Sequence, residues 1–132
     1  MNNPTILIVE DDSSVRNLIA TTLRSHEYRY VAVQNGNDAL NTASAGDCDI
    51  MLLDQGLPDM DGLEVIERIR GWSKMPIIVI SARNADSAKV TALDSGADDF
   101  LTKPFSVEEL LARIRVTQRR LEESSDQPNS AV

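Results

Sequence analysis

Ile6-Leu7-Ile8-Val9 runs straight into Glu10-Asp11-Asp12, and that junction decides the fold. Four unbroken apolar residues followed at once by three acids read as a buried strand that delivers carboxylates at its C-terminal end. Three more runs share the pattern: Tyr30-Val31-Ala32-Val33, Ile50-Met51-Leu52-Leu53 before Asp54, and Ile77-Ile78-Val79-Ile80 before Ser81. Asp99-Phe100-Leu101-Thr102 before Lys103 is a weaker fifth. Each is nearly continuous rather than alternating, as strands are when a parallel sheet is covered on both faces.

Helical periodicity fills the intervals. Val15, Leu18, Ile19, Thr22 and Leu23 make one stripe; Val65, Ile66 and Ile69 make another. Val107, Leu110, Leu111, Ile114 and Leu121 make the last. Asp61 with Glu64, and Ser106 with Glu109, stand at capping-box spacing. An Ala-rich helix is expected between Gly36 and Ala45, and a short, weakly docked one over Ala85–Asp94, closed by Gly96. Five strand–helix units in a row predict an α/β fold: a doubly wound, flavodoxin-like three-layer sandwich with parallel order 2-1-3-4-5. From Glu122 the apolar period stops. Residues 1–121 are therefore expected to be one domain and 122–132 a polar linker or disordered tail.

Composition narrows the function. The 132 residues suit a single core. A net charge of -8 and 4% aromatic content argue against direct nucleic-acid binding. No apolar run approaches the ~18 residues of a membrane helix, and Met1–Thr5 do not resemble a signal peptide. A cytoplasmic protein with no membrane association is expected. The lone Cys48 reads as a small, partly buried residue. His26, beside Glu27 at a helix end, reads as solvated surface.

In open α/β sheets ligands bind beyond the carboxyl ends of the strands, at the switch in strand order. Glu10, Asp11, Asp12, Asp54, Ser81 and Lys103 follow four such ends, which the expected order makes neighbours. The result is an acidic pocket with a hydroxyl and an ammonium on its rim. Crowded carboxylates need compensation: a lysine supplies part, and Mg²⁺ suits the rest. A carboxylate beside such a metal can attack phosphorus to give an aspartyl phosphate. Each residue also has a plainer reading. Asp12 is either a helix cap or a support for the metal; Asp54 and Ser81 taken singly would be turn or cap residues. Lys103 alone would be solvated, but it precedes Pro104, where a cis bond would turn it inward.

Leu7-Ile8-Val9-Glu10-Asp11-Asp12, Leu53-Asp54 with Leu57-Pro58-Asp59-Met60-Asp61-Gly62, Ile80-Ser81-Ala82-Arg83, and Gly96-Ala97-Asp98-Asp99-Phe100-Leu101-Thr102-Lys103-Pro104-Phe105 together resemble the receiver domain of two-component response regulators. The resemblance runs from about Thr5 to Arg120 and is strongest to the OmpR/PhoB-type branch. Arg70-Gly71-Trp72-Ser73 and Met75–Arg83 are similar to regulators of the Kdp type. It implies that Asp54 accepts a phosphoryl group from a sensor histidine kinase, with Mg²⁺-dependent self-phosphorylation and slow self-dephosphorylation but no other enzymatic activity. It further implies Mg²⁺ held by Glu10, Asp11, Asp54 and the carbonyl of Gly56, with Ser81 and Lys103 on the phosphoryl oxygens. Ser81 and Phe100 would be the switch pair; Phe100, often Tyr in the family, has only its ring to act with, unless it is ordinary core. The same likeness implies a homodimer through the fourth helix, fifth strand and fifth helix, on Lys89, Asp98, Asp99, Glu109 and Arg113, with pairs Lys89–Glu109 and Asp99–Arg113 and apolar area from Leu93 and Leu111. DNA would be reached only through a winged-helix domain that these residues do not include.

Three other readings are weaker. A flavodoxin-type FMN protein would need a Ser/Thr/Gly-rich phosphate loop where Glu10-Asp11-Asp12 stands. A haloacid-dehalogenase-type phosphatase would need a second Asp where Gly56 stands. A degenerate receiver serving as a binding module would not need the complete acidic set with Lys103.

Overall fold

The computed structural model describes residues 3–83 and 86–125, the side chains of Ser124 and Ser125 excepted. Five strands and five helices alternate: β1 (Thr5–Val9), α1 (Ser13–Ser25), β2 (Arg29–Val33), α2 (Gly36–Ser44), β3 (Ile50–Asp54), α3 (Gly62–Arg70), β4 (Ile77–Ser81), α4 (Asp86–Asp94), β5 (Asp99–Thr102) and α5 (Val107–Ser125). All pairings are parallel and the order is β2-β1-β3-β4-β5, as expected for five strand–helix units.

The sheet separates two cores. Leu7, Val9, Met51, Leu53, Val79 and Phe100 face α2, α3 and α4, meeting Ala39, Val65, Ile66, Ile69 and Ala92. Ile6, Ile8, Ile50, Leu52, Ile78, Ile80 and Leu101 face α1 and α5, meeting Ile19, Leu23, Leu110 and Ile114. The period of two along each strand sorts side chains between these layers. It also puts Asp54 on the α1/α5 side and Ser81 on the α3/α4 side.

Several local expectations change. β2 is apolar from Tyr30 to Val33 yet largely exposed, because an edge strand has one neighbour and incomplete helix cover. Leu18 is 47% exposed; the buried stripe of α1 is Ile19, Ala20, Thr22 and Leu23. Val107 is likewise exposed, and Leu111 is buried in the core. Leu111 therefore cannot supply contact area to a partner; the exposed apolar residues of α4 are Val90 and Leu93. Docking of α4 is slight, with Ala92 its sole buried residue, and the expected first residue Ala85 lies outside the described residues. α5 continues to Ser125, one turn past the expected boundary at Leu121; Glu122 is held in register by Gln118 Nε2 at 3.5 Å. Residues 126–132 of the expected tail are outside the described residues.

The N-caps form as expected, but neither capping box closes, since no bond from Ser106 N to Glu109 forms among the described residues. Asp61 accepts from Leu63 N and Ser106 Oγ from Glu109 N. Glu64, however, pairs with Arg68 one turn on instead of reaching back. Gly96 leaves α4 at φ +120, a backbone region that favours glycine.

Candidate phosphoacceptor and metal site

Glu10, Asp11 and Asp54 come together at the C-terminal edge of the sheet, each offering a carboxylate oxygen within 4.8 Å of the others. β1 and β3 are direct neighbours in register, Val9 opposite Leu53, so the residues that follow meet. Lys103 arrives from β5 across the α1/α5 side. Its ammonium lies 3.0 Å from Glu10 Oε1 and 3.3 Å from Asp54 Oδ1. The Lys103–Pro104 bond is cis, as expected at that reversal.

Burial makes this cluster costly. Glu10 is 1% and Asp54 7% exposed. Burial first, then contact with Asp54, pushes the Glu10 carboxyl up to about 7, against opposing help from Lys103 and the amide of Asp12. For Lys103 burial acts to lower the ammonium, but the carboxylates of Glu10 and Asp54 outweigh it and the direction is up. Although the ammonium is near, Glu10 Oε1 is buried without a hydrogen-bond partner. An unsatisfied buried carboxylate oxygen next to two further carboxylates is the donor set a hard divalent cation takes. The residues present therefore fit such an ion.

Asp12 stands apart from that cluster. Its Oδ1 accepts from Ser14 N at 2.8 Å and Val15 N at 3.3 Å, so it is the α1 cap. Gly56 is exposed beside the site, its N–H 3.4 Å from Asp54 Oδ1, and it bridges to Asp61. Ser81, buried at the end of β4, accepts from Arg83 N at 2.9 Å. Phe100 is 6% exposed, packed beneath Ser81 on the same sheet face.

The face formed by α4, β5 and α5 carries charges with unequal freedom. Lys89 and Glu109 are exposed. Asp99 already pairs with Arg113 of its own chain at 3.4 Å. Asp98, exposed as well, is engaged by its own chain. Its Oδ2 accepts from Ile77 N at 2.8 Å and from Arg70 Nη2 at 2.9 Å, which turns it toward the start of β4.

Some residues of consequence had no role in the site read from the sequence. Arg16 Nη1 donates to the carbonyls of Glu10 at 2.9 Å and Asp11 at 3.2 Å, bracing the loop that presents both acids. Arg83 crosses to Asp61 at 3.3 Å. Asp59 accepts from Gly36 N and Asn37 N; those two N–H groups hold its carboxyl below its usual range. The one available signal was Arg16's place a helical turn beyond Asp12. His26 is an exposed C-cap whose ring nitrogen meets Thr22 O at 2.9 Å. Cys48 is partly buried; burial, then Asp49 and Asp47, push its thiol up.

A five-stranded 2-1-3-4-5 sheet with three carboxylates, a lysine and a hydroxyl at its carboxyl edge defines the receiver class of signalling domains. The chain belongs to the response regulator receiver domain family, which it matches over residues 6–115. It is 45% identical over 115 residues to the KDP operon transcriptional regulatory protein KdpE of Escherichia coli, covering 87% of this chain and 51% of that protein. To KdpE of Staphylococcus aureus it is 46% identical over 114 residues, covering 86% and 49%. The Kdp-type likeness read from the sequence is thus borne out, and the chain spans about half the length of these relatives. Among solved structures, the Francisella response regulator 1452 receiver domain superposes with TM-score 0.86 at 30% identity, over 90% of this chain and 99% of that one. The BeF3-activated N-terminal receiver domain of Klebsiella pneumoniae RstA gives 0.83 at 33%, over 87% and 98%. No helix among the described residues is long and apolar enough to cross a membrane.

Proposed function

We propose that Asp54 takes a phosphoryl group from the phosphohistidine of a sensor histidine kinase. An Asp54 oxygen forms the new P–O bond as the P–N bond breaks, and its electron pair returns to the imidazole nitrogen. The observation that carries this is the Lys103 ammonium 3.3 Å from Asp54 Oδ1, on the site where Glu10 and Asp11 converge. Lys103 and the Ser81 hydroxyl then bind the phosphoryl oxygens where charge accumulates. Asp11, Asp54, Glu10 and the carbonyl of Gly56 would hold Mg²⁺, directly or through water. When bound, that ion neutralises charge on the carboxylates and the transferring group.

Ser81 drawn toward the phosphoryl group lets Phe100 lie inward, and the change reaches α4, β5 and α5. That face closes a two-fold homodimer on Lys89, Glu109, Asp99 and Arg113. Residues 1–121 form the receiver; 122–132, entered by the last turn of α5, lead toward a DNA-binding effector domain that controls transcription in the cytoplasm. Self-phosphorylation and slow self-dephosphorylation are its only chemistry.

Intact-mass analysis after treatment with phosphoramidate and Mg²⁺ tests the central step. One phosphoryl addition is expected in the wild type and none in Asp54→Asn. Equal labelling of Asp54→Asn would place the acceptor elsewhere.

A further inference from the structure

Gln55 follows the phosphoacceptor and is 2% exposed, yet its carbonyl oxygen Oε1 has no hydrogen-bond partner. The backbone there is fixed. Gln55 N donates to Ile80 O at 3.1 Å and Gly62 N donates to Gln55 O at 2.9 Å. A Cβ on Gly62 would stand 2.9 Å from Gln55 Cα, so the start of α3 is pressed onto this residue. A buried acceptor left unpaired is costly and calls for an explanation.

The strand register supplies one. Asp54 lies opposite Ile80, so Gln55 stands beside Ser81, about 4.8 Å away between backbones. Met51 and Leu53 face the α3/α4 side, as does Val79; the period of two along a strand puts Gln55 and Ser81 next in those same rows. Directly below them on this face are Leu53, Val79 and Phe100. Ser81 Oγ accepts from Arg83 N, but its own proton has no acceptor among the described residues. A hydroxyl without an acceptor and an acceptor without a donor, among the described residues, thus stand at neighbouring register positions, one step along the same sheet face from the buried Phe100.

We propose that Gln55 is a positioning residue of the switch, resting on the reading of Ser81 and Phe100 given above. With Asp54 unphosphorylated, the Ser81 side chain rotates onto Gln55 Oε1 and donates to it. On phosphorylation the hydroxyl turns to the phosphoryl oxygen, and Gln55 is left as this structure has it. Gln55 therefore favours the resting conformer and raises the phosphoryl signal needed to switch.

Replacement of Gln55 by an apolar residue of similar size removes the resting-state bond and the orphan acceptor together. Gln55→Met and Gln55→Leu should raise the switched-to-resting ratio roughly three- to tenfold, the worth of one hydrogen bond. The ratio is read by NMR from the Phe100 ring resonance, between Mg²⁺-only and beryllofluoride-plus-Mg²⁺ endpoints. In a Ser81→Ala background the same replacement should leave the ratio unchanged, because the donor is gone. Equal effects in both backgrounds, or no effect of either replacement, would overturn the role of Gln55; an Oε1 held by a buried water gives that result. If Ser81→Ala alone switches like the wild type under beryllofluoride, the Ser81 reading fails instead.

Discussion

Replacing Glu10 by Gln should stabilise the metal-free protein at alkaline pH while weakening its metal site. The buried Glu10 carboxyl sits at about 7 in the folded chain against an ordinary 4.5. A carboxyl raised on folding favours the folded state while protonated. That contribution is complete below pH 4.5 and is lost as pH rises through 7. The difference is worth at most about 3 kcal/mol. Gln cannot ionise, so Glu10→Gln escapes the loss. In chelator, urea denaturation should therefore show little separation between the two proteins at pH 5 and a Glu10→Gln advantage approaching ~3 kcal/mol at pH 8. Added Mg²⁺ should reverse the order at pH 8, because the ionised carboxylate becomes a ligand and Gln is a poorer one. A gap that does not change with pH, or a less stable Glu10→Gln protein at pH 8 in chelator, would refute the reasoning.

Asp12→Ala should cost about 1 kcal/mol of stability through the lost α1 cap, seen by urea titration, and leave Mg²⁺ affinity by calorimetry unaltered; weakened Mg²⁺ binding would show that Asp12 also serves the metal. The combined change Lys89→Glu, Arg113→Glu should abolish dimerisation with beryllofluoride and Mg²⁺ in sedimentation, although each exposed pair contributes only about 0–1 kcal/mol, because four like-charge clashes replace four attractions across a two-fold interface. A dimer of undiminished affinity would mean that another surface is used.

What was legible in the sequence follows from the range of the interaction. Apolar runs and helical stripes record burial over a few neighbouring residues, and they mark all five strands; the sheet order follows from the topology common to five strand–helix units. Cap spacing is equally local, so Asp61 and Ser106 could be read, but not whether Asp12 caps or ligates. That depends on the direction the chain takes after β1, which brings Oδ1 onto Ser14 N and Val15 N. Edge position is a property of the whole sheet, which is why Val31 reads as core and is exposed. Leu18 and Leu111 lie at the margins of apolar stripes, where the direction of packing decides which is buried.

The charges show the same limit more sharply. Asp98 and Asp99 are adjacent and chemically identical, yet they turn to opposite sides where β5 begins. Asp99 meets Arg113 of α5; Asp98 meets Arg70 and the first amide of β4. Both aspartates thus enter any dimer already paired within their own chain. In a dimer, Arg113 must exchange its own Asp99 for the partner's, or share both. Such an exchange adds little net attraction, since one ion pair replaces another in similar surroundings. The pair therefore sets which surfaces align, and contact area must come from the exposed Val90 and Leu93 of α4. α4 is anchored by a single buried residue, Ala92. The helix that must offer this area is thus also the one most easily shifted when Ser81 and Phe100 change place.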